Sequence, residues 1–420
     1  MWAIPGTVAE YVVGAAVPGG LVQDIIHKEE FALFRIKTMN KISKNGLAVL
    51  DKDLYEIGDA LDNEDGVLVR SAAMHEYAFP ENLKAIARAG AGTNNIPLDR
   101  CAEAGIVVFN TPGANANAVK ELAICALLMS SRKIPAGIAW CKAQAAEGAE
   151  VEKVVEKGKS QFVGPEIMGK TLSVIGLGAI GALVANAALD LGMTVIGYDP
   201  FLSPKAALAL DPRVKVFDSI DPLFKQGDYF TIHVPFNPDT KDTINADTIA
   251  MMKDGARIIN LARGGLVNED AVLAAIESGK VACYVTDFPN NKLVGNENVV
   301  CIPHLGASSP ESEENCAVMA SQEIDGYLRF GNIKNSVNLP NLVKEWAGSA
   351  RICVIRKNDA ALAGKINDVV AKAGIAVAGS ADATRKDYGY TVLDVNGAVS
   401  DAVAAELQAL EGVIRVRVLG

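Results

Sequence analysis

Short apolar runs, nearly all ending in a polar or charged residue, alternate with stretches of helical periodicity through the middle of the chain. KTLSVI leads into a glycine-rich turn and the amphipathic ALVANAALDLG, and the next run, TVIGYD, stops at Asp199. Downstream, DYFTIHVP reaches His233, ARIINLARGG reaches Arg263, VACYVTDFP reaches Asp287 and NVVCIPHLG reaches His304. Strand and helix in alternation predict an α/β protein with a doubly wound parallel sheet. In such a sheet the strands share one direction, so these polar ends are expected to line a single crevice, where open α/β sheets bind ligands. Residues 350 to 420 follow another order, predicted as strand, helix, strand, strand, helix, strand.

The turn after KTLSVI reads GLGAIG, with Gly176, Gly178 and Gly181 around Ala179 and Ile180. A dinucleotide needs this spacing. The first glycine allows the sharp turn, the second lets backbone approach a pyrophosphate, and the third lets helix and strand pack closely. The helix start offers free N–H groups and a partial positive charge to the phosphates. Asp199, roughly 20 residues on, stands where an acid accepts from the adenosine 2′-hydroxyl and repels a 2′-phosphate, so NAD is the expected cofactor. A glycine-rich core helix beside an ordinary turn aspartate is the plainer alternative.

Composition narrows the classes. Half of the 420 residues are hydrophobic, which predicts two or three domains with sizeable cores. Lys and Arg total 40 against 50 for Asp and Glu, and this acidic balance offers no basic stripe for nucleic acid. Seven scattered cysteines without a CxxC pair fit reduced thiols in a cytoplasm rather than disulfides or a metal site. The early chain has neither a signal peptide's basic start nor an Arg-rich transit pattern, and residues 1 to about 30 carry no reading. No residue between Lys170 and Asp190 is charged, a transmembrane length, but three glycines so close together predict strand, turn and buried helix instead.

Arginine and histidine at strand ends suit hydride transfer to a nicotinamide. Arg263, set between Ala262 and two glycines, can hold a 2-hydroxy acid's carboxylate through two parallel hydrogen bonds. His304, with an unperturbed pKa of roughly 6.5, can accept the hydroxyl proton. Each residue also has an ordinary structural role open to it. A strand-end histidine is often only hydrogen-bonded, and Asp287 could cap the turn that follows.

GLGAIG with GYDP, NLARGGLVNEDAVLAAI, VTDF and PHLGAS resemble the D-isomer-specific 2-hydroxyacid dehydrogenases, and LVRSA, ARAGAGTNNI and NTPGANANAVKEL extend the resemblance over roughly residues 31 to 420. The resemblance implies a Rossmann-type domain, about 118–305, inserted in a flavodoxin-like substrate domain of residues 1–117 completed by 306–337. A linker over 338–348 and a C-terminal ACT domain over 349–420 complete the expected organisation. It implies that Arg70 and Ser71 approach the substrate, that the backbone of Ala91 and Gly92 receives its carboxylate, and that Asn115 lies nearby. Asp287 would face the nicotinamide amide, while His233, Pro235, Ala262 and Gly306 would flank the cofactor.

A substrate with a distal phosphate, 3-phospho-D-glycerate, is implied, with Arg70 and Lys41 as phosphate cations and Lys120 as a third candidate. A homodimer or homotetramer without a nucleic acid, membrane or metal partner is expected. Two alternatives stay open: a glyoxylate or hydroxypyruvate reductase on the same scaffold, and a non-enzymatic NAD-sensing protein similar to the C-terminal-binding corepressors.

Two departures stand out. Family members carry a glutamate a few residues after the DV motif that orients the histidine, but DFPNNKLVGNENVV has no acid before Glu297. Lys292 occupies roughly that place, and a cation there would depress the His304 pKa. In the tail, serine-binding relatives carry a His-x-Asn-x-Pro-Gly turn and a later Asn. Here the turn runs from Arg356 to Ala361 with only Asn358 kept, and Ala376 replaces the later Asn. Little or no serine binding is therefore expected.

Overall fold

The computed structural model describes residues 33–420, so the expectations for the first thirty residues lie outside the described range. Five parallel strands form the first sheet: β1 (Phe34–Met39), β2 (Tyr55–Gly58), β3 (Gly66–Val69), β4 (Ala85–Arg88) and β5 (Val107–Asn110). Their order is β2-β1-β3-β4-β5. GVLV of β3 is buried throughout, as a strand covered on both faces requires. The strand order reverses direction between β1 and β3, so Asn40 and Arg70, one residue beyond each, meet at a topological switch point.

Seven more parallel strands form the second sheet: β6 (Thr171–Ile175), β7 (Thr194–Tyr198), β8 (Lys215–Phe217), β9 (Tyr229–Ile232), β10 (Ala256–Asn260), β11 (Val281–Thr286) and β12 (Val299–Cys301). The order β12-β11-β10-β9-β6-β7-β8 places the switch point between β6 and β9. The uncharged stretch from Lys170 to Asp190 is β6, the glycine turn and the helix Ala179–Asp190. Among the described residues no single helix is long and apolar enough to cross a membrane.

Helix Ala116–Ser131 carries the chain out of the first sheet, and helix Pro310–Phe330 carries it back. The returning helix starts on Ser309, whose hydroxyl accepts from Ser312 N, and its Ala317, Ala320, Ile324 and Tyr327 share a core with Ile36, Leu68 and Phe109. Large buried side chains of this kind each contribute about 1.5–3 kcal/mol.

The last sheet is antiparallel: β13 (Ala350–Lys357), β14 (Ala376–Arg385), β15 (Tyr388–Asn396) and β16 (Val413–Leu419), ordered β14-β15-β13-β16. With helices Ala360–Lys372 and Asp401–Gln408 it reproduces the expected element order, a ferredoxin-like arrangement. One face, with Ile352, Val354, Leu393 and Val395, packs on those helices. The other face sends Cys353, Ile355, Tyr390 and Val392 into the core shared with Tyr327 and Leu328.

A helix leaves its last carbonyls without partners. Here the tail supplies them. Arg417 donates to the carbonyls of Tyr327 (3.0 Å) and Leu328 (2.6 Å), Arg351 to Phe330 (2.7 Å), and the Tyr390 hydroxyl to Gly331 (2.6 Å). Arg351 is itself held by the fully buried carboxylate of Asp394 at 2.6 Å. The segment expected to be a linker is fastened too. Asn338 bonds to Val108 N and Ile106 O at the free edge of β5, and Lys344 pairs with Asp394.

Candidate active site

Each expected role of a glycine in the turn after β6 has a physical counterpart. Gly176 sits at φ +90°, where a side chain is strained, and a β-carbon on Gly181 would lie 1.9 Å from the Gly176 carbonyl oxygen. A β-carbon on Gly178 would meet nothing within 4 Å, leaving room above the start of a twelve-residue helix. Ala179 and Ile180 form that helix's first turn. Asp199, at the end of β7, binds the turn directly: its carboxylate accepts from Leu177 N at 2.9 Å and from Phe201 N at 2.8 Å. This cradle fits a dinucleotide diphosphate.

Across the switch point, the carbonyl oxygen of His233 lies 2.7 Å from where a β-carbon on Gly176 would stand, and the His233 Nε2 lies 2.9 Å from the Thr231 hydroxyl. Burial pushes the His233 imidazole down to about 4, so it is neutral near pH 7, and its buried Nδ1 has no protein partner. Pro235 is exposed and its carbonyl accepts from Thr240.

Arg263 follows β10 and is exposed. Its backbone is set by Asn260, a buried residue at the strand end that accepts from Ala262 N and donates to the Arg263 carbonyl at 2.8 Å. The guanidinium donates to Ala262 O at 2.7 Å and reaches the other domain, with Nη2 3.0 Å from where a β-carbon on Gly92 would stand. Asp287, at the end of β11, is 1% exposed, and its Oδ1 has no partner. Burial raises the Asp287 carboxyl, while nearby His304, the Gly306 amide that donates to it and Arg263 pull it partly back. His304 therefore shares one carboxylate's neighbourhood with Arg263.

His304 is exposed, adopts a left-handed backbone (φ +47°) unusual for a non-glycine residue, and tilts its ring against Phe288 at a centroid distance of 5.0 Å. Among the described residues no protein group hydrogen-bonds its ring nitrogens. The expectation that Lys292 acts on His304 is corrected here. The Lys292 ammonium turns away to pair with Asp270 at 2.8 Å, which raises its pKa, because that loop lies over the start of helix Glu269–Glu277. Glu297 is exposed, and among the described residues no carboxylate hydrogen-bonds the imidazole, Asp287 being the one that lies near it.

From the first sheet, loop 90–92 after β4 is tied by Thr111 N to Gly90 O and by Asn110 Nδ2 to Ala91 O. Two arginines flank it. Arg88 donates through Nε to Arg70 O at 3.0 Å, and burial, followed by the like charges of Arg263 and Arg70, lowers its pKa. Ser71 N and Ala72 N both donate to Asn40 Oδ1, which fixes the loop after β3. Asn115 precedes helix Ala116–Ser131 with a buried, unpartnered Oδ1. Arg88 and Arg263 thus meet at this loop, and Arg70 lies close enough for its charge to act on Arg88. Lys120 stands apart from them, with its ammonium 3.9 Å from Glu121, and Lys41 is exposed without a partner in the group. The sequence reading missed Arg88, Asn260 and Asn40, although the charge ending LKAIAR repeats the strand-end signal used elsewhere.

The model of the D-isomer specific 2-hydroxyacid dehydrogenase NAD binding domain matches residues 124–306. Hydroxypyruvate reductase of Thermotoga maritima is 37% identical over 315 residues, spanning 72% of this chain and 96% of that protein. D-3-phosphoglycerate dehydrogenase of Bacillus subtilis is 33% identical over 331 residues, spanning 74% of this chain and 60% of that protein, and the one from Methanocaldococcus jannaschii is 34% identical with 61% of its length matched. The chain thus spans about 60% of the length of these two phosphoglycerate dehydrogenases. Among solved structures, NAD+-bound 3-phosphoglycerate dehydrogenase of Entamoeba histolytica aligns with a TM-score of 0.57 at 26% identity, covering 73% of this chain and 99% of that one. The chain belongs to the D-isomer specific 2-hydroxyacid dehydrogenases, and the sheet of β6 to β12 lies in its NAD-binding domain.

Proposed function

We propose that the chain oxidises the C2 hydroxyl of 3-phospho-D-glycerate to the ketone of 3-phosphohydroxypyruvate, the entry to serine synthesis. The observation that carries this reading is the meeting of Arg88 and Arg263 at loop 90–92 with Arg70 within charge range of Arg88, since a substrate with a carboxylate and a phosphate needs several cations in one place. Several phosphoglycerate dehydrogenases among the relatives support it.

NAD, bound at the GLGAIG turn, supplies the hydride acceptor. Arg263 and the amides of Ala91 and Gly92 hold the substrate carboxylate, and Arg263 stabilises charge on the reacting oxygen. His304 takes the hydroxyl proton as the C2 hydride leaves. Asp287, protonated or not, keeps an acceptor toward the nicotinamide amide, and Asn115 and Ser71 border the substrate. Arg70 and Arg88 face the phosphate, with Lys41 at the rim.

The test is NADH formation at alkaline pH with 3-phosphoglycerate, D-glycerate and D-lactate. The highest kcat/KM belongs to 3-phosphoglycerate, and His304→Asn lowers kcat by about 10²–10⁴. Oxidation of none of the three would sink the reading. A second reading, reduction of hydroxypyruvate, has the 96% coverage of the Thermotoga relative in its favour and would show as a preference for unphosphorylated substrates.

We read the C-terminal sheet as an ACT-type domain that does not take serine. Arg356 is buried against Asp382 and Thr391, and Asn358 is committed to the Lys386 carbonyl. Titration calorimetry with serine should show no saturable heat. Exposed Ile134 and Ile138 on helix Ile134–Ala146 support a homodimer through the nucleotide domain, and seven unpaired thiols suit a cytoplasmic setting.

A further inference from the structure

One arginine of the anion-binding group already has a partner. Nη2 of Arg70 lies 2.7 Å from Oε1 of Glu313, with the two side chains 40% and 45% exposed. Glu313 stands in the first turn of the returning helix, directly after the loop that carries His304 and Gly306. Its neighbours Ser312 and Cys316 face inward, the thiol lying near Thr111, Arg88 and Arg70, so this helical turn borders the arginine group. The carboxylate therefore sits where a substrate's distal anion would meet Arg70.

We propose that Glu313 tempers the site's preference for phosphorylated substrates, as an internal counter-ion that competes with the substrate's distal phosphate for Arg70. The inference rests on the phosphoglycerate reading of the site. Arg263 keeps its charge for the substrate carboxylate and Arg88 faces the phosphate unpaired, whereas Arg70 is neutralised until a dianion replaces the single negative charge of Glu313. A phosphate can win this exchange through its greater charge and three acceptor oxygens. A hydroxyl in the same place, as in glycerate, cannot, and leaves the ion pair closed. The pair thus weakens binding of the phosphorylated substrate selectively and narrows its lead over glycerate.

The experiment compares wild type, Glu313→Gln and Glu313→Asp, each loaded with NADH, by calorimetric titration with 3-phosphoglycerate and with D-glycerate. Removing the competing charge should tighten 3-phosphoglycerate binding up to about 5-fold, the upper range for an exposed ion pair. D-glycerate binding should change by less than about 2-fold. The gain should shrink at high salt, where surface charges are screened. Glu313→Asp, one methylene too short to hold the same bond, should fall between, and it carries the test if Glu313→Gln does not fold.

A merely structural tie predicts the reverse, because loosening the helix would weaken both ligands together. Equal or weaker 3-phosphoglycerate binding in both variants, or no binding to any of the three proteins, overturns the inference. Binding does not require turnover. Failure of wild type to oxidise 3-phosphoglycerate would therefore count against the proposed reaction, and unchanged binding in the variants against Glu313 alone.

Discussion

The Arg263 guanidinium and the Gly92 backbone belong to different domains, yet Nη2 lies 3.0 Å from the place a β-carbon on Gly92 would take. The gap between the sheets is closed here by an arginine against a glycine. Gly92 is not at a positive φ, so its substitution tests space alone. Gly92→Ala should keep its melting temperature while kcat/KM falls by up to roughly 10-fold, because the guanidinium must give way slightly from its position. Wild-type kinetics in this variant would mean that Arg263 does not need that approach.

Asp199 holds the glycine turn, its carboxylate accepting from Leu177 N and Phe201 N, and is the acid proposed to meet the ribose. Asp199→Ala should raise the KM for NAD roughly tenfold, the order expected on losing hydrogen bonds to a charged group, and relax the discrimination against NADP. The ratio of kcat/KM for the two coenzymes checks this. An unchanged ratio would place the ribose elsewhere.

Glu323 lies on the returning helix at 6% exposure, with Oε1 accepting from Asn335 at 2.7 Å and Oε2 without a partner. Burial pushes its carboxyl up from 4.5 to about 8. A buried acid with a raised pKa binds its proton more tightly folded than unfolded, so it disfavours the fold only where the unfolded chain would ionise it. Stability should therefore fall as pH rises from about 4.5 to about 8. Glu323→Gln, which keeps the acceptor for Asn335, should match wild type near pH 4.5 and melt several degrees higher at pH 8. Equal melting temperatures at pH 8 would refute this.

Arg417 donates to two carbonyls at the end of the returning helix and stands over the Tyr327 ring at 4.6 Å. Arg417→Met keeps much of the bulk and removes the donors. The Tyr327 carbonyl keeps the Gly331 amide and only that of Leu328 is left unmet, so chemical denaturation should show a loss of about 1–3 kcal/mol. A loss below about 0.5 kcal/mol would show that water replaces the arginine.

Much of the architecture was legible because local signals and the fold agreed. The turn at Gly176 to Gly181 needs only neighbouring backbone, and the residues ending β9, β10 and β11 meet because a parallel sheet aligns its strand ends. The tail's six elements could be read from their own periodicity. Directions and long-range partners could not. Lys292 lies near His304 in the chain, but its side chain follows the nearer charge of Asp270. Arg70 and Glu313 are far apart in sequence and meet only because the returning helix passes over the end of β3. Arg351, Tyr390 and Arg417 read as ordinary strand residues until a helix end is brought against them.

That helix end bears on how the molecule can be cut. A stop codon at position 349 would strip Cys353, Ile355, Tyr390 and Val392 from the face of Tyr327 and Leu328, wetting an oily surface and orphaning the carbonyls of Leu328, Phe330 and Gly331. The trimmed protein should aggregate rather than survive as a smaller dehydrogenase. The tail is thus a wall of the core that the first sheet and the returning helix share, and shortening it is a different operation from removing an appendage on a tether.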